Sequence, residues 1–385
     1  MPRLTIDYQP ITVPEGTKVI DAAEQLGIAI PRFCYHPALG AVGACRMCAV
    51  RFVDGPVKGI QMSCMVDAAD GMVVSTDDPE AVAFRRFVIE CLMTNHPHDC
   101  PVCDEGGHCL LQDMTVSGGH GSRRFPGLKR TYRNQDLGPL IHHEMNRCIH
   151  CYRCVRFYRE YSGYRDFGAL GIGRRVYYGR FADGPLESPF SGNLVDLCPT
   201  GVFTDKPSRY RARRWDLQRG DSICLHCGLG CRTVAGVRYR EVLRQEARFC
   251  PEVNGHFICD RGRYGFGYAS APDRPRRATV DGGTVSRDAA LKTAAERLRE
   301  IIAQHGPSAV AAVVSPRTGL ETVGMVRRLR RDLGWPIFLG LDAGLAETLR
   351  AAVGRMDADL TASLADLERA DFILTVGADP LAEAP

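Results

Sequence analysis

At 385 residues, 45% of them hydrophobic, the chain has room for two or three domains with buried cores, and a net charge of +4 gives no argument for a nucleic-acid partner. Its 17 cysteines are too many for an ordinary chain, yet the length and the opening MPRLTIDYQPITVPEG, with no basic stretch followed by an apolar one, exclude a small secreted disulfide scaffold. No apolar run approaches the roughly 18 residues of a membrane helix, so the expectation is a reducing compartment in which cysteines serve as metal ligands.

Residues 1–78 read as a small β-rich unit. RLTIDY is a strand, KVIDAAEQLGI carries Val19, Ala23 and Leu26 at helical spacing, and CAVRFV and MVVST are further strands with DG pairs as turns. Asp78-Pro79 starts a helix to about Thr94, with Phe84, Phe87, Val88, Cys91 and Leu92 as its apolar stripe. That stripe makes Cys91 an ordinary small core residue. Residues 95–280 lack periodicity and are rich in Gly, Cys, Arg and Tyr, so little apolar burial is expected there, and bound metal clusters would have to fix the fold. The basic runs at 209–215 and 327–331 read as solvated faces or contacts to acidic partner surfaces. From about Ser286 the pattern alternates. Leu291, Ala294, Ala295, Leu298, Ile301 and Ile302 form a helical stripe stopped by Gly306-Pro307. AVAAVV follows as a strand, a helix with Val323, Val326 and Leu329 comes next, then the strand PIFLG, and SLADLERA with DFILTVGAD repeats the unit. Such alternation means a parallel sheet with right-handed crossovers; it looks unfinished at GADPLAEAP.

Four ligand sets emerge from the spacings. Cys34, Cys45, Cys48 and Cys64 are separated by ten, two and fifteen residues. This is the long loop, C-x2-C pair and distant fourth cysteine of plant-type [2Fe–2S] ferredoxins, although the first interval departs from C-x4-C. Gly43 and Ala44 are small where backbone N–H groups must approach sulfur. Cys100, Cys103 and Cys109 are one ligand short, and His96 stands four residues before the first of them, with His98 and His108 as rival donors. Cys148, Cys151 and Cys154 make the C-x2-C-x2-C run of a [4Fe–4S] cubane, and Cys198-Pro199 supplies a fourth thiolate of the expected kind. Cys224, Cys227 and Cys231 are followed by two candidates for a fourth ligand, Cys250 and Cys259, between which spacing does not choose. The bland alternative at each C-x2-C pair is structural zinc.

The stretches FCYHPALGAVGACRMCAV, LMTNHPHDCPVCDEGGHCLLQDMT, HEMNRCIHCYRCVRFY, FSGNLVDLCPTGVFTDK and ICDRGRYGFGY closely resemble the family of large iron–sulfur subunits of NADH–quinone oxidoreductase, respiratory complex I, over residues 1–270. The resemblance implies one [2Fe–2S] cluster on the first set and three [4Fe–4S] clusters: on His96, Cys100, Cys103 and Cys109; on Cys148, Cys151, Cys154 and Cys198; and on Cys224, Cys227, Cys231 and Cys259. It implies an α+β multidomain chain. A β-grasp [2Fe–2S] ferredoxin domain spans 1–78, a His(Cys)3 [4Fe–4S] domain 79–120 and a ferredoxin-like [4Fe–4S] domain 121–218. A cluster domain of the Mo/W bis-MGD type spans 219–280, and an incomplete parallel α/β domain like that of molybdopterin oxidoreductases spans 281–385, without molybdenum.

The function so implied is an electron wire from NADH and FMN on a partner flavoprotein subunit towards quinone, coupled to proton translocation elsewhere. The chain would sit peripherally on the cytoplasmic face of the cell membrane, attached through other complex I subunits. No G-x-G-x-x-G is present, GIGRR (171–175) lacking the third glycine and the following helix, so NADH and quinone are expected on partners. No acid/base catalyst is nominated, because outer-sphere electron transfer needs only buried, well-spaced cofactors. The rival is a diaphorase-type subunit of an NAD-linked hydrogenase or formate dehydrogenase. The fourth set and the α/β tail argue against the shorter hydrogenase subunits. A non-enzymatic zinc-stapled scaffold is the third reading.

Overall fold

The structure is a computed structural model that describes residues 1–385 apart from 120, 316, 317, 341, 358 and 360. Chain contacts divide it into two units, Met1–Gly267 with Pro380–Pro385, and Tyr268–Asp379.

The first unit begins with the hairpin β1 (Arg3–Ile6) and β2 (Gln9–Thr12), turned by Asp7 and Tyr8 at φ 45° and 68°. Two positive φ values match the right-handed twist of the flanking strands. After α1 (Val19–Gln25) come β3 (Ala49–Asp54), β4 (Gly59–Met62) and β5 (Val73–Ser75). The sheet order is β2-β1-β5-β3-β4, with β1 and β5 parallel. Alternate residues Leu4 and Ile6, Val50 and Phe52 point inward, and α1 lays Val19, Ile20, Ala22 and Ala23 against them. The loop from Ile30 to Met47 adds Ile30 and Tyr35 to this core and carries two of the candidate ligands, Cys34 and Cys45.

Asp78 starts α2 (Pro79–Met93), its carboxylate accepting from the N–H groups of Glu80 and Ala81. The expected stripe is corrected in part. Phe84, Val88 and Leu92 pack against the cores as expected, beside the buried Ala81, Ile89 and Met93, whereas Phe87 is 61% exposed and Cys91 is exposed as well. Arg85 fixes the rotation by donating to Ala49 O and Thr76 O, both at 2.7 Å. A cation anchoring the buried face is invisible to a count of apolar positions.

The expectation of little apolar burial in 95–280 is also corrected. Beyond α3 (Leu110–Ser117), short elements alternate: β6 (Ile141–His143) paired with β9 (Phe203–Asp205), β7 (Phe167–Leu170) with β8 (Tyr177–Arg180), and the brief helices α4 (Arg153–Arg156) and α5 (Asn193–Leu197). Phe157, Tyr158, Phe167, Tyr178, Leu194, Phe203 and Phe257 make one core from these pieces. Each piece contributes one or two apolar side chains, so the core leaves no period in the sequence. An unpredicted antiparallel meander follows, β10 (Gln218–Ile223), β11 (Arg232–Arg238) and β12 (Glu241–Ala247), then α6 (Asp260–Tyr264).

In the second unit the hairpin β13 (Ala278–Val280) and β14 (Gly283–Val285) precedes α7 (Arg287–His305), which Ser286 caps and Gly306, at φ 82°, ends. β15 (Ala312–Val314) and β16 (Ile337–Leu339) pair in parallel across α8 (Leu320–Leu333), as the alternation predicted. DFILTVGAD does not form the expected strand: among the described residues it pairs with none, and Phe372 and Leu374 are exposed. No residue of α7 is buried, Leu291 being 62% exposed. A two-stranded sheet is too narrow to cover the helix. Among the described residues no helix is long and apolar enough to cross a membrane.

Candidate metal centres

The first set gathers from three places. Cys34 and Cys45 lie on the loop after α1, Cys48 just before β3, and Cys64 just after β4; all four are buried. The loop turns tightly at Gly43 and Arg46, with φ 66° and 60°. Cys34 N–H donates to Cys45 Sγ at 3.4 Å, and the sulfurs of Cys48 and Cys64 are 3.3 Å apart. Hydrogen bonds from Cys45 and Cys64 hold the Cys34 thiol far below its usual range, and the same contacts push those two far above theirs. Four buried thiols this close lie ready to share a metal core.

In the second set, His96 follows α2, Cys100 and Cys103 flank a single helical turn, and Cys109 opens α3. His96, His98, Cys100 and Cys109 line one cavity with Met93, Pro101 and Leu111, a lining that does not include Cys103. His96 is 7% exposed, its Nδ1 is buried without a hydrogen-bond partner, and burial lowers its pKa to about 4. A neutral imidazole with a free nitrogen among apolar groups and thiols is the form that ligates metal. Of the rival donors, His98 lines the same cavity, with Lys129 Nζ 3.3 Å from its Nδ1, whereas His108 lines a different cavity and has its Nε2 2.6 Å from Glu105 Oε2. Arg213 donates to the carbonyls of Cys103 and Pro101 and clamps the loop from outside. Gly106 is required inside it, since a Cβ there would lie 2.3 Å from Cys100 O.

Cys148, Cys151, Cys154 and Cys198 line a single small cavity with Tyr152, Tyr178, Thr200 and Phe203. His150 and Tyr152 adopt φ 55° and 64°, uncommon for residues with side chains, and curl the run around that space. Burial pushes the thiol of Cys151 up to about 12, as it does Cys109 in the second set. Thiols so buried ionise only against a positive core, which a bound cluster supplies and which couples loading to proton release.

The fourth set separates the two sequence candidates. A Cβ on Gly262 would meet Cys224 Sγ at 3.2 Å and Cys259 Sγ at 3.8 Å, so these sulfurs face one point. Burial raises the Cys231 thiol to about 11, with Cys224, Cys227 and Cys259 adding to the rise. Cys250 is instead beside Glu252, 3.3 Å from its carboxylate.

Among the described residues no three His, Cys, Asp or Glu side chains close on one single-ion position. The sets do touch one another. Cys34 and Cys45 of the first, Cys109 of the second and Cys151 of the third belong to one buried cluster with Phe33, Met47, Ile89, Met93, Leu111 and Ile149. Cys224 and Cys231 lie in a separate small cluster with Ile258. The sequence reading missed the buried arginines of this region. Arg147 forms a two-pronged pair with Asp99 at 2.6 and 3.0 Å and pairs with Glu144. Arg153 is buried as well. Both stand inside or beside the cysteine run NRCIHCYRC, which was the available signal.

Four family models match: a 2Fe-2S iron-sulfur cluster binding domain at residues 2–79, an NADH-ubiquinone oxidoreductase-G iron-sulfur binding region at 85–124, the ferredoxin-like domain of NADH-quinone oxidoreductase subunit 3 at 138–204, and a molybdopterin oxidoreductase domain at 283–385. The G-type subunit of NADH-quinone oxidoreductase from Pseudomonas fluorescens is 48% identical over 388 residues, and that from Escherichia coli 46% over 390. Each alignment covers 98% of this chain and 42% of the relative, so the chain spans under half the length of the curated relatives it matches. Among solved structures, a chain of an NAD+-reducing [NiFe]-hydrogenase in the H2-reduced state matches with 29% identity and a TM-score of 0.49, over 55% of this chain and 90% of that one.

Proposed function

Because the chain belongs to the family of G-type, large iron–sulfur subunits of NADH–quinone oxidoreductase, we propose that it is the iron–sulfur electron-transfer subunit of such a complex. It would pass electrons from NADH and FMN on a partner flavoprotein subunit towards quinone, with proton translocation carried out elsewhere. The observation that carries this reading is the single buried cluster holding cysteines of the first three ligand sets. When bound, one [2Fe–2S] and three [4Fe–4S] clusters supply one-electron carriers. The residues of the chain do the rest. Sixteen side chains, the fifteen cysteines and His96 named above, hold the clusters. Phe33, Ile89, Met93 and Ile149 exclude water between the first three sets. His96 brings a neutral ligand to one of them.

The domain reading that accompanies this is 1–78, 79–120, 121–218, 219–280 and 281–385, the boundary at 120 falling outside the described residues. The strand order β2-β1-β5-β3-β4 around α1 supports a β-grasp domain at the start. We place the chain peripherally at the cytoplasmic face of the cell membrane, held by its partner subunits.

The test is metal analysis with EPR on anaerobically purified protein. The expectation is brown protein with about 14 irons per chain, by the cluster types above. Zinc in place of iron, with no visible charge-transfer bands, would overturn the reading.

A further inference from the structure

Among the described residues four arginines are buried: Arg147, Arg153, Arg244 and Arg263. Three have carboxylate partners. Arg147 pairs with Asp99 and Glu144, Arg244 with Asp196 and Glu246, and Arg263 with Asp196. Arg153 has no ion pair among the described residues and is 9% exposed. Its Nη2 donates to Tyr35 O, its Nη1 to Leu197 O at 3.4 Å, and its Nε is buried without a partner. A guanidinium does not give up its proton, and a buried charge without a counter-charge is strongly disfavoured. Something anionic must face it.

The positions around it say what. Tyr35 follows Cys34 of the first set, Leu197 precedes Cys198 of the third, and Arg153 itself lies between Cys151 and Cys154. Its two hydrogen bonds therefore end on the carbonyls of the residues adjoining Cys198 and Cys34, which holds the guanidinium between the first and third sets. Four thiolates around a ferredoxin-type core leave a net negative charge on each cluster.

We propose that Arg153 is a positioning residue shared by two clusters: its positive charge is balanced by the clusters of the first and third sets and keeps both easier to reduce. The proposal rests on the cluster reading given above. Reduction adds an electron to an already negative site, so a fixed cation nearby favours it, and removing that cation lowers the midpoint. The two hydrogen bonds to backbone carbonyls could be made by a neutral donor; only the charge couples the two sites electrostatically.

The experiment is an EPR-monitored redox titration of the assembled complex carrying Arg153→Gln or Arg153→Lys, with iron per chain measured alongside. With Gln, the midpoints of the first-set and third-set signals should fall together, while the His96-bearing cluster stays near its wild-type value. With Lys, which keeps the charge, both should stay close to wild type. Unchanged midpoints in Arg153→Gln, or equal shifts in the two variants, would overturn the proposal. If the Gln variant arrives depleted of iron and the Lys variant does not, the charge requirement is supported; equal depletion in both would make Arg153 a structural tie only and sink it. Absence of the two signals from the wild-type complex would remove the cluster reading itself, a failure visible before any variant is compared.

Discussion

The first three ligand sets and the fourth are built differently. Cysteines of the first three share one apolar cluster, and Cys109 Sγ reaches Pro199 O, beside Cys198 of the third set, at 3.6 Å. The fourth set has its own small cluster of Cys224, Cys231 and Ile258, beside a three-stranded meander. Shared packing means three sites held in fixed relation with water kept out between them, which is what a relay needs. A site with a separate, small core has less apolar surface to stabilise it and depends more on whatever its ligands bind. On the proposed function, four similar cysteine patterns divide into three carriers and a staple.

The sharpest way to break that division is Cys151→Ala. Cys151 lies both in the shared cluster and on the cavity of the third set. NADH-to-quinone turnover per flavin in the assembled complex should fall by roughly 100-fold or more, beyond the roughly 10–100-fold commanded by outer-shell partners of a metal. Near-normal turnover would place the third set off the path.

Cys259→Ala should act on stability instead. Structural metal sites contribute on the order of 10 kcal/mol to folding, and Cys259 ties the loop 224–231 to the start of α6, its sulfur accepting from Gly262 N–H. Yield of assembled complex and thermal stability should drop, while turnover per assembled complex changes by less than about 2-fold, since no relay contact passes through it. Stable Cys259→Ala complexes with almost no turnover would put the fourth cluster on the route and end the comparison.

Within the relay group, His96→Cys should assemble a cubane of lower midpoint. A thiolate adds negative charge where a neutral imidazole stood, and the ferredoxin-to-Rieske difference suggests a fall on the order of 100 mV. A redox titration with an unchanged or higher midpoint would return the ligand position to another donor, such as His98.

The cysteine spacings were legible because ligand geometry is local: C-x2-C-x2-C needs no tertiary context to be read. The α1 helix, the Pro79 helix and the β15–α8–β16 unit were legible because each carries its own period. What escaped was set by contacts distant in sequence. Arg85 turned α2 so that Cys91 faces outward. The core around Phe157 and Phe203 is assembled from single residues of short elements. Arg153 looks like any surface arginine until Tyr35 and Leu197 are seen to enclose it. The strand expected at 371–379 shows the opposite error, an apolar run taken for a strand where no neighbouring strand pairs with it.

The smallest effect is expected from Cys250→Ser, and it sharpens the comparison by testing which cysteine completes the fourth set. On bare spacing, Cys250 with its following proline is as good a ligand as Cys259. In the fold, its backbone carries the local structure: its N–H donates to Gly255 O at 3.0 Å, and its carbonyl accepts from Gly255 N–H at 2.7 Å. Its sulfur contacts the Glu252 carboxylate, a partner that a serine hydroxyl serves equally well. The substitution leaves both backbone bonds in place and removes no buried apolar volume of consequence, so the stability change should stay within about 0.5 kcal/mol. Iron per chain and the EPR signals should match wild type. Cys259→Ser, made alongside, should lose the iron of one cubane. The reverse outcome, iron lost with Cys250→Ser and kept with Cys259→Ser, would move the fourth ligand to the turn after β12. It would also leave the Cys224–Cys259 approach at Gly262 without a metal-binding purpose.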